Sequence, residues 1–374
     1  MPLTTTERLS AIRRNLKATF AERDAVIDGL LTALIARKHI FLLGPPGTAK
    51  SALINAIVGA ITGASAFKWL MTKFSEPGEL FGPLDLMALK EGRQERIVTG
   101  KLPSAHVAYL DECFKANSAI LNSFLTLMEE RAFDNGTTRI DCPLESMIGS
   151  SNELPEGPEL GALYDRFSFR FFVDYIRNPS KLRSLLSMSG GPTVTETLTL
   201  DELHALQAKA DSLSVSEKAI EAVLTIKEAL EGHGIVVSDR SWCAVPGILR
   251  ARAVVEGDEA VEVRHLEALA DCLWQEPDQR SLVASVVGQH ANPAAAEATE
   301  NLDCAEEALT SYPETVTDEN CAAATRIRRE AKRVLEATVD LATASPSTRV
   351  SDAVERITAI KREMDRRFAA YTEA

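Results

Sequence analysis

The sequence Gly-Pro-Pro-Gly-Thr-Ala-Lys-Ser occupies residues 44–51, between a continuous apolar run and an apolar helical pattern. The run at residues 40–43 is typical of a buried strand, and Leu53, Ile54 and Ile57 indicate the helix that follows. In this order the loop points successive backbone N–H groups at one spot, beside the positive end of the helix dipole. The stretch therefore predicts a phosphate-binding loop and not a chance glycine turn.

The residues of this loop have expected roles toward ATP and Mg²⁺. Lys50 would reach the β and γ phosphates, and the Ser51 hydroxyl would ligate Mg²⁺, since a hard cation prefers oxygen. Ala49 stands where the usual pattern has glycine, and we expect its backbone to keep a negative φ, because a Cβ is poorly tolerated at positive φ. The predicted nucleotide-binding residues are Gly44, Pro45, Pro46, Gly47, Thr48, Ala49, Lys50, Ser51 and Ala52.

A pair of acidic residues ends a second apolar strand. His-Val-Ala-Tyr-Leu at residues 106–110 precedes Asp111 and Glu112. Because the carboxyl ends of parallel strands meet at one edge of a sheet, both acids should face the same crevice as the loop. Asp111 would hold Mg²⁺ through water, and Glu112 would polarise the attacking water. Alone, an Asp-Glu pair is usually a solvated helix start, so this prediction depends on its position after the loop.

Further strands complete an α/β pattern. Apolar runs at residues 67–74, 146–151 and 169–175 alternate with helical patterns, which predicts a parallel sheet covered by helices on both faces. The second of these runs is followed by Asn152, whose amide would lie near the γ phosphate or the attacking water. As a lone residue, Asn152 would more often cap a helix, so its role also rests on position.

Two local signals lie between the predicted strands at 106–110 and 146–151. Asn117 can cap a helix with an apolar face. Asp134-Asn135-Gly136-Thr137 predicts a β-hairpin, in which Asn135 and Gly136 would be the central turn residues with positive φ.

The rest of the chain is predicted to be helical. Pro179 and the cluster Gly190-Gly191-Pro192 interrupt the alternation, and the periodicity beyond them indicates no convincing strand. Near the carboxyl terminus, Ser345-Pro346 separates two long amphipathic patterns, which favour a helical hairpin packed on its own protein over a partner-binding arm. The predicted domains are an α/β nucleotide-binding core at 1–178, a helical lid at 179–290 and a C-terminal helical region at 291–374.

Composition limits the classes of function. The 374 residues are 45% hydrophobic and 25% charged, the mix of a soluble globular protein. With 41 basic and 54 acidic residues the net charge is -13, which makes nucleic acid an unfavoured partner. The dispersed cysteines indicate neither a zinc site nor a disulfide framework. We expect no signal peptide and no membrane segment, and therefore a cytoplasmic protein.

Taken together, these motifs resemble those of the AAA+ ATPases, and their local sequences are similar to those of the RavA branch of the MoxR family. The resemblance covers about residues 6–290. Besides the loop at 44–51, the matching stretches are Glu-Leu-Phe-Gly-Pro-Leu (79–84), Leu-Asp-Glu (110–112), Ala-Ile-Leu-Asn (119–122), Ser-Asn-Glu-Leu-Pro (151–155), Ala-Leu-Tyr-Asp-Arg (162–166) and Ser-Asp-Arg (238–240).

The resemblance implies arginines that act on the γ phosphate. Arg166 would be the finger that reaches the nucleotide of a neighbouring subunit, with Arg170 as the alternative and an ordinary surface ion pair as the non-functional interpretation. Arg240 would be the second sensor, a lid arginine that contacts the γ phosphate in cis. Pro246-Gly247 departs from the expected pattern, because proline inside the following helix removes a backbone bond and invites a kink.

The resemblance also implies a mechanism. Residues 74–104 and the hairpin around Asn135 would face the central pore of a homo-oligomeric ring, expected to be a hexamer, and would engage a client protein. A protein with a von Willebrand factor A domain is the implied partner. Two alternatives stay open: a nucleic-acid motor, for which residues 90–101 and 326–333 supply some basic charge, and a nucleotide-gated scaffold with little turnover.

Overall fold

The computed structural model describes residues 3–155, 157–177, 179–187, 196–344 and 348–372. Two helices precede the first strand: α1 (Thr5–Thr19) and α2 (Asp24–Ala36). A capping box between Thr4 and Glu7 starts α1. Every residue of α2 from Val26 to Ile35 is buried, because this helix is covered by the sheet on one side and by other helices on the rest of its surface.

A five-stranded parallel sheet forms the centre of the α/β core. Its strands are β1 (His39–Leu43), β3 (Ala66–Leu70), β4 (Val107–Asp111), β7 (Ser146–Ser151) and β8 (Phe167–Phe172), in the spatial order β3-β4-β7-β1-β8. Both β1 and β7 are buried along their whole length, as expected for central strands covered on both faces. The predicted α/β architecture is confirmed, although the run at 67–74 forms a strand only to Leu70 and the last strand starts at Phe167.

The remaining elements of the core connect these strands. They are α3 (Lys50–Gly59), β2 (Ile61–Thr62), α4 (Pro77–Phe81), α5 (Leu86–Lys90), α6 (Ser118–Glu130), β5 (Ala132–Asn135), β6 (Thr138–Asp141) and α7 (Pro158–Tyr164), with 3-10 turns at Leu102–Ser104 and Cys113–Lys115. The side chain of Asn117 accepts a hydrogen bond from the backbone N–H of Ile120, so this residue caps α6 as predicted.

The hairpin of β5 and β6 forms as predicted, but its turn lies one residue further along. Asn135 pairs with Thr138, so Gly136 and Thr137 are the central turn residues. Gly136 has φ +68°, whereas Asn135 lies in β5 and does not have positive φ. The prediction for Asn135 is wrong because its side chain is used elsewhere. It accepts from the backbone N–H of Arg96 at 2.7 Å and donates to the carbonyl of Arg96 at 3.1 Å.

Helices follow the sheet, with one exception. Leu198–Thr199 forms a short strand, β9, that pairs in parallel with β2, so the expectation of no strand beyond Pro179 is wrong. Two residues are too few to give a periodic signal. The helices are α8 (Pro179–Ser187), α9 (Leu200–Ser212), α10 (Glu217–Gly232), α11 (Asp239–Glu256) and α12 (Arg280–Ala291), with 3-10 segments at Val263–Asp271 and Pro277–Gln279. The cluster Gly190-Gly191-Pro192 lies outside the described residues.

The lid packs directly on the core. Helices α9 and α11 contact α2, so one hydrophobic cluster extends from the sheet through α2 into the lid. The indole of Trp274 is fully buried where the chain between the 3-10 segments meets the core.

The C-terminal region is a three-helix bundle of α13 (Pro293–Thr310), α14 (Cys321–Ala344) and α15 (Thr348–Thr372). It has a hydrophobic cluster of its own, which includes Leu302, Ile357 and Met364. The two long helices correspond to the predicted hairpin, and Ser345-Pro346 between them lies outside the described residues. No helix in the described part of the chain is long and apolar enough to cross a membrane.

Candidate functional site

The loop at residues 44–51 follows β1 directly and leads into α3 at the carboxyl edge of the sheet. The backbone N–H of Gly44 donates to the carbonyl of Ser151 at 3.1 Å, which ties the start of the loop to the end of β7. A Cβ on Gly44 would lie 2.2 Å from the carbonyl oxygen of Val173, so no larger residue fits there. The glycine therefore lets the loop pass closely between two strands.

Ala49 adopts a left-handed conformation, with φ +62° and ψ 21°. The expected negative φ is wrong, because the residue before α3 must turn the chain from the loop into the helix. An alanine in this region costs about 1–2 kcal/mol relative to the right-handed form. Such strain is typical of functional loops whose shape is fixed by the surrounding structure.

The ammonium group of Lys50 lies across the loop. Its Nζ donates to the carbonyl oxygens of Gly44 at 2.8 Å and Pro45 at 2.9 Å, and to the Thr48 hydroxyl at 3.3 Å. Burial lowers the pKa of Lys50, while the charges of Asp111 and Glu112 oppose that shift. The side chain is thus positioned over the concave face of the loop, where a phosphate would compete for its donors.

A chain of hydroxyl groups joins the two predicted metal ligands. The Ser51 Oγ lies 3.2 Å from the Tyr109 Oη, which lies 3.0 Å from the Ser150 Oγ, and Ser150 donates to Asp111 Oδ1 at 2.5 Å. Burial raises the pKa of Tyr109, so its hydroxyl stays protonated near neutral pH. Ser51 and Asp111 offer hard oxygen ligands at the same edge of the sheet, a donor set that suits Mg²⁺. No sequence motif marks Tyr109 and Ser150 as site residues, although strand alternation puts both on one face of the sheet.

Glu112 and Asn152 are brought together at the ends of neighbouring strands. The Asn152 Nδ2 donates to Glu112 Oε1 at 2.8 Å, and Lys115 Nζ lies 3.3 Å from Glu112 Oε2. Glu112 itself has φ +54°, an uncommon conformation for a residue with a side chain. The left-handed turn directs the carboxylate away from the strand axis toward Asn152. Asn152 and the predicted base Glu112 are therefore hydrogen-bonded to each other in this structure.

Arg166 and Arg240 lie together at the opposite edge of the sheet. Arg166 precedes β8, and its Nη2 is 3.0 Å from Glu129 Oε2. Arg240 at the start of α11 places Nη1 2.7 Å from Asp165 Oδ2 and Nη2 3.4 Å from Glu129 Oε1. The hydrogen bond to Asp165 raises the pKa of Arg240. Ser238, which caps α11, donates to Asp165 Oδ1 at 2.7 Å and so fixes this end of the lid beside Arg166.

This arrangement does not form the contact in cis that was expected of Arg240. Strand β1 has five residues, so its first and last Cα atoms are about 13 Å apart at 3.3 Å per residue. The loop lies at one end and Arg240 at the other, beyond the length of its side chain. Pro246 lies inside α11, after the first turn that carries Arg240, and the helix runs through it to Glu256.

Arg170 is excluded as the alternative arginine finger. Its side chain is fully buried in β8. Its Nη1 donates to the carbonyl oxygens of Trp274 at 2.8 Å and Cys272 at 3.3 Å, and its guanidinium stacks over the ring of Tyr164 at 4.5 Å. Burial lowers the pKa of Arg170. This arginine fastens the lid to the core and is not available to another molecule.

The two insertions predicted to engage a client lie against each other. The segment between β3 and β4 carries exposed apolar side chains, including Phe74 at 91% and Leu86 at 69% exposure. The hairpin tip contacts this segment closely, because a Cβ on Gly136 would lie 2.4 Å from the carbonyl oxygen of Gln94. Together with the two hydrogen bonds of Asn135, this contact joins the insertions into one body.

A second group of ionisable residues has a structural role and is not a metal site. Glu256, Asp258 and His265 lie close enough together to suggest metal ligands. Arg264 contacts both carboxylates, and Arg252 donates to Glu256 at 2.6 Å. Because cations already occupy these oxygens, the group is an ion-pair network that joins the end of α11 to the following 3-10 segment.

Comparisons with known proteins agree with this geometry. Residues 7–214 match the model of the MoxR domain in MoxR-vWA-beta-propeller ternary systems, and residues 218–287 match an AAA lid domain. An uncharacterised protein of Methanocaldococcus jannaschii, MJ0079, is 39% identical over 281 residues, which cover 75% of this chain and 73% of that protein. The chaperone MoxR1 of Mycobacterium tuberculosis is 23% identical over 244 residues, 63% of each chain.

A solved structure shares the fold. A protein of Cytophaga hutchinsonii, provisionally described as an ATPase, superposes with a TM-score of 0.62 at 16% identity, over 76% of this chain and 94% of that one. The match of more than half of the chain to the MoxR model, followed directly by the lid model, shows that the chain belongs to the MoxR family of AAA+ ATPases.

Proposed function

We propose that this protein hydrolyses ATP at the interfaces of a homo-oligomeric ring, expected to be a hexamer. The observation that carries the proposal is the division of the site between two edges of one sheet. Lys50, Ser51, Asp111, Glu112 and Asn152 lie at the carboxyl edge, whereas Arg166 and Arg240 lie at the other. Only a second copy of the chain could bring these arginines to a bound γ phosphate.

The chemistry follows from the roles of the side chains. The loop N–H groups and Lys50 would bind the phosphates, while Ser51 and Asp111 would hold Mg²⁺, which neutralises phosphate charge. The attacking water would replace Asn152 as the hydrogen-bond donor to Glu112. Glu112 would then accept a proton from that water. Asn152 would then orient the water or the γ phosphate.

Arg166 and Arg240 of the neighbouring copy would stabilise the charge that develops in the transition state. An arginine finger of this kind contributes about 10³-fold or more to turnover. Both guanidinium groups contact Glu129, which supports a pair of arginines acting together on the same neighbouring nucleotide. This differs from the expectation that Arg166 acts in trans and Arg240 in cis.

The energy of hydrolysis would be used to remodel or mature a client protein. The exposed apolar side chains on the insertion between β3 and β4 support this role, since apolar surface of this kind marks interaction sites. A protein with a von Willebrand factor A domain is the proposed partner, and the matched MoxR model adds a β-propeller protein as a further candidate. Placement in the RavA-like branch stays a prediction.

The two alternatives have less support. In the basic segment at 90–101, Arg93 pairs with Glu91 and Glu95, and in the segment at 326–333, Arg328 pairs with Asp365. Arg93 and Arg328 are thus already paired with carboxylates, which disfavours phosphate binding at these two positions by a nucleic-acid motor. The scaffold alternative requires an incomplete site, whereas both the acid pair and Lys50 are present.

A mixing experiment tests the proposal. Subunits with Arg166→Ala and subunits with Glu112→Gln should each turn over ATP poorly, and mixing them should restore activity, because some interfaces then combine an intact acid with an intact arginine. Arg139→Ala, which removes an exposed arginine paired with Glu130, is the control and should leave turnover unchanged. Absence of recovery at every mixing ratio, with rings formed, would refute a site shared between subunits.

A further inference from the structure

We infer that Glu129 is a positioning residue, which holds Arg166 and Arg240 side by side so that both meet the same γ phosphate of a neighbouring copy. This inference rests on the proposed function. Glu129 would touch neither ATP nor the reacting atoms, and it would act only through the two arginines.

The geometry supports this role. Glu129 belongs to the last turn of α6, and its Oε2 lies 3.0 Å from Arg166 Nη2. Both carboxylate oxygens face Arg240 Nη2, at 3.4 and 3.5 Å. One carboxylate therefore lies between two guanidinium groups that come from distant parts of the chain, the junction of α7 with β8 and the start of the lid helix α11.

Asp165 anchors Arg240 beside Arg166, but neither this contact nor the other contact of Arg166 bridges the two guanidinium groups. Arg166 Nη1 donates to the carbonyl of Ala162 at 2.7 Å, and Arg240 Nη1 donates to Asp165 Oδ2 at 2.7 Å. Without Glu129, no carboxylate would bridge the two guanidinium groups, and the repulsion between their like charges would increase. Arg240 would move most easily, since 45% of its side chain is exposed, against 17% for Arg166.

Stability alone gives no sufficient reason for this arrangement. Glu129 is 48% exposed, and ion pairs in such positions contribute little to the free energy of folding. Pre-positioned charges lower a reaction barrier more effectively, because the side chains need not be ordered when the transition state forms. Glu129 is therefore expected to affect turnover more than folding.

The helix that carries Glu129 begins near the acids of its own site. Asn117 caps α6 shortly after Glu112, and the helix then runs to the opposite edge of the sheet, where it ends beside the arginines. One rigid element thus connects the carboxyl edge, where a subunit binds its own nucleotide, to the groups that it offers to a neighbour.

The chain contains a matched control. Glu130 follows Glu129, is 52% exposed and pairs with Arg139. Glu130→Ala removes the same charge and the same number of atoms from the same turn of α6, but it leaves the contacts of Arg166 and Arg240 intact.

The test measures kcat and KM for ATP turnover by the assembled full chain. Glu129→Ala should lower kcat about 10-fold, because two side chains must then be ordered during the reaction. KM should change less than about twofold, since the loop at residues 44–51 lies at the other edge of the sheet. Glu129→Gln should be intermediate, because it keeps the length and one acceptor, and Glu130→Ala should match the wild type.

A second arm separates positioning from structural support. In a chain that already carries Arg166→Ala and Arg240→Ala, adding Glu129→Ala should leave the residual turnover unchanged within about twofold. A further loss in that background would mean that Glu129 supports the fold, and would overturn the inference. An unchanged or higher kcat for Glu129→Ala alone would also overturn it, the higher value because Glu129 would then compete with the phosphate.

The proposed function has its own readout in the same set of variants. If the chain with both arginines replaced keeps wild-type turnover, the arginines do not act on ATP, and the inference about Glu129 falls with them. If that chain is impaired while Glu129→Ala is not, the arginines act as proposed and only the role of Glu129 is refuted.

Discussion

Lowering the pH from 7.5 to 5.0 should destabilise β1, the strand that precedes the loop at residues 44–51, because His39 at its start has no room for a second proton. Its Nδ1 accepts from the backbone N–H of Met147 at 2.9 Å, and its Nε2 lies 2.9 Å from the carbonyl of Met128. Nε2 must carry the hydrogen, since a carbonyl only accepts. Protonation of Nδ1 would therefore direct a hydrogen at another donor.

Burial, together with the charge of Arg131, lowers the pKa of His39 to about 3. In the unfolded chain the pKa is about 6.5. Below that value the unfolded state binds a proton that the folded state does not, so the free energy of unfolding falls as the pH falls. The loss approaches about 1.4 kcal/mol per pH unit and reaches about 2 kcal/mol at pH 5.0, whereas at pH 7.5 it is negligible. The stabilising contribution of neutral His39 is thus fully present above about pH 6.5.

Urea unfolding followed by circular dichroism at pH 7.5 and 5.0 measures this effect in the wild type and in His39→Gln. Glutamine is neutral at both pH values, so the variant should be less stable at pH 7.5, because it packs and bonds less well, but should lose about 2 kcal/mol less on acidification. The difference between the two proteins removes the contribution of other titrating groups. Parallel loss of stability in both proteins would refute the assignment to His39.

Three further substitutions test close contacts. Gly29→Ala in α2 should lower the free energy of unfolding by about 1–2 kcal/mol, because the new Cβ would lie 2.1 Å from a phenylalanine ring of β8; an unchanged urea midpoint would contradict this. Gly136→Val should separate the hairpin tip from Gln94, and proteolysis at residues 82–98 should accelerate while ATP binding persists; an unchanged cleavage rate would show that the contact is dispensable. Ser150→Ala removes a donor to the first acid of the Asp-Glu pair, so half-maximal turnover should need about 10-fold more Mg²⁺, whereas equal Mg²⁺ dependence would show that the hydroxyl chain has no role.

The parts of the molecule that depend on local sequence could be predicted. Strand, loop and helix around Lys50 follow each other within a short stretch, and the acids at 111–112 come directly after an apolar strand. The carboxyl ends of parallel strands meet at one edge, so the sheet itself brings Asn152 to Glu112. The left-handed backbone of Ala49 could not be predicted, because the loop determines it and not the residue type.

The positions of the three candidate arginines could not be predicted from the sequence. Arg166 and Arg170 look alike in the sequence, but packing of the lid buries Arg170 under Trp274, a residue far along the chain. The position of Arg240 likewise depends on how the cap of α11 docks on Asp165. Contacts between distant segments decide both cases, and no local pattern records them.

The junction between the hairpin tip and the insertion has a consequence for protein engineering. The side chain of Asn135 forms hydrogen bonds with both the backbone N–H and the backbone carbonyl of Arg96. Gly136 lies so close to the carbonyl of Gln94 that a side chain would not fit. A chimera that received residues 74–104 from a relative without its matching hairpin would place a foreign backbone against this tip. The two segments form a single structural unit, so a chimera between family members should keep its fold here only when both segments are exchanged together.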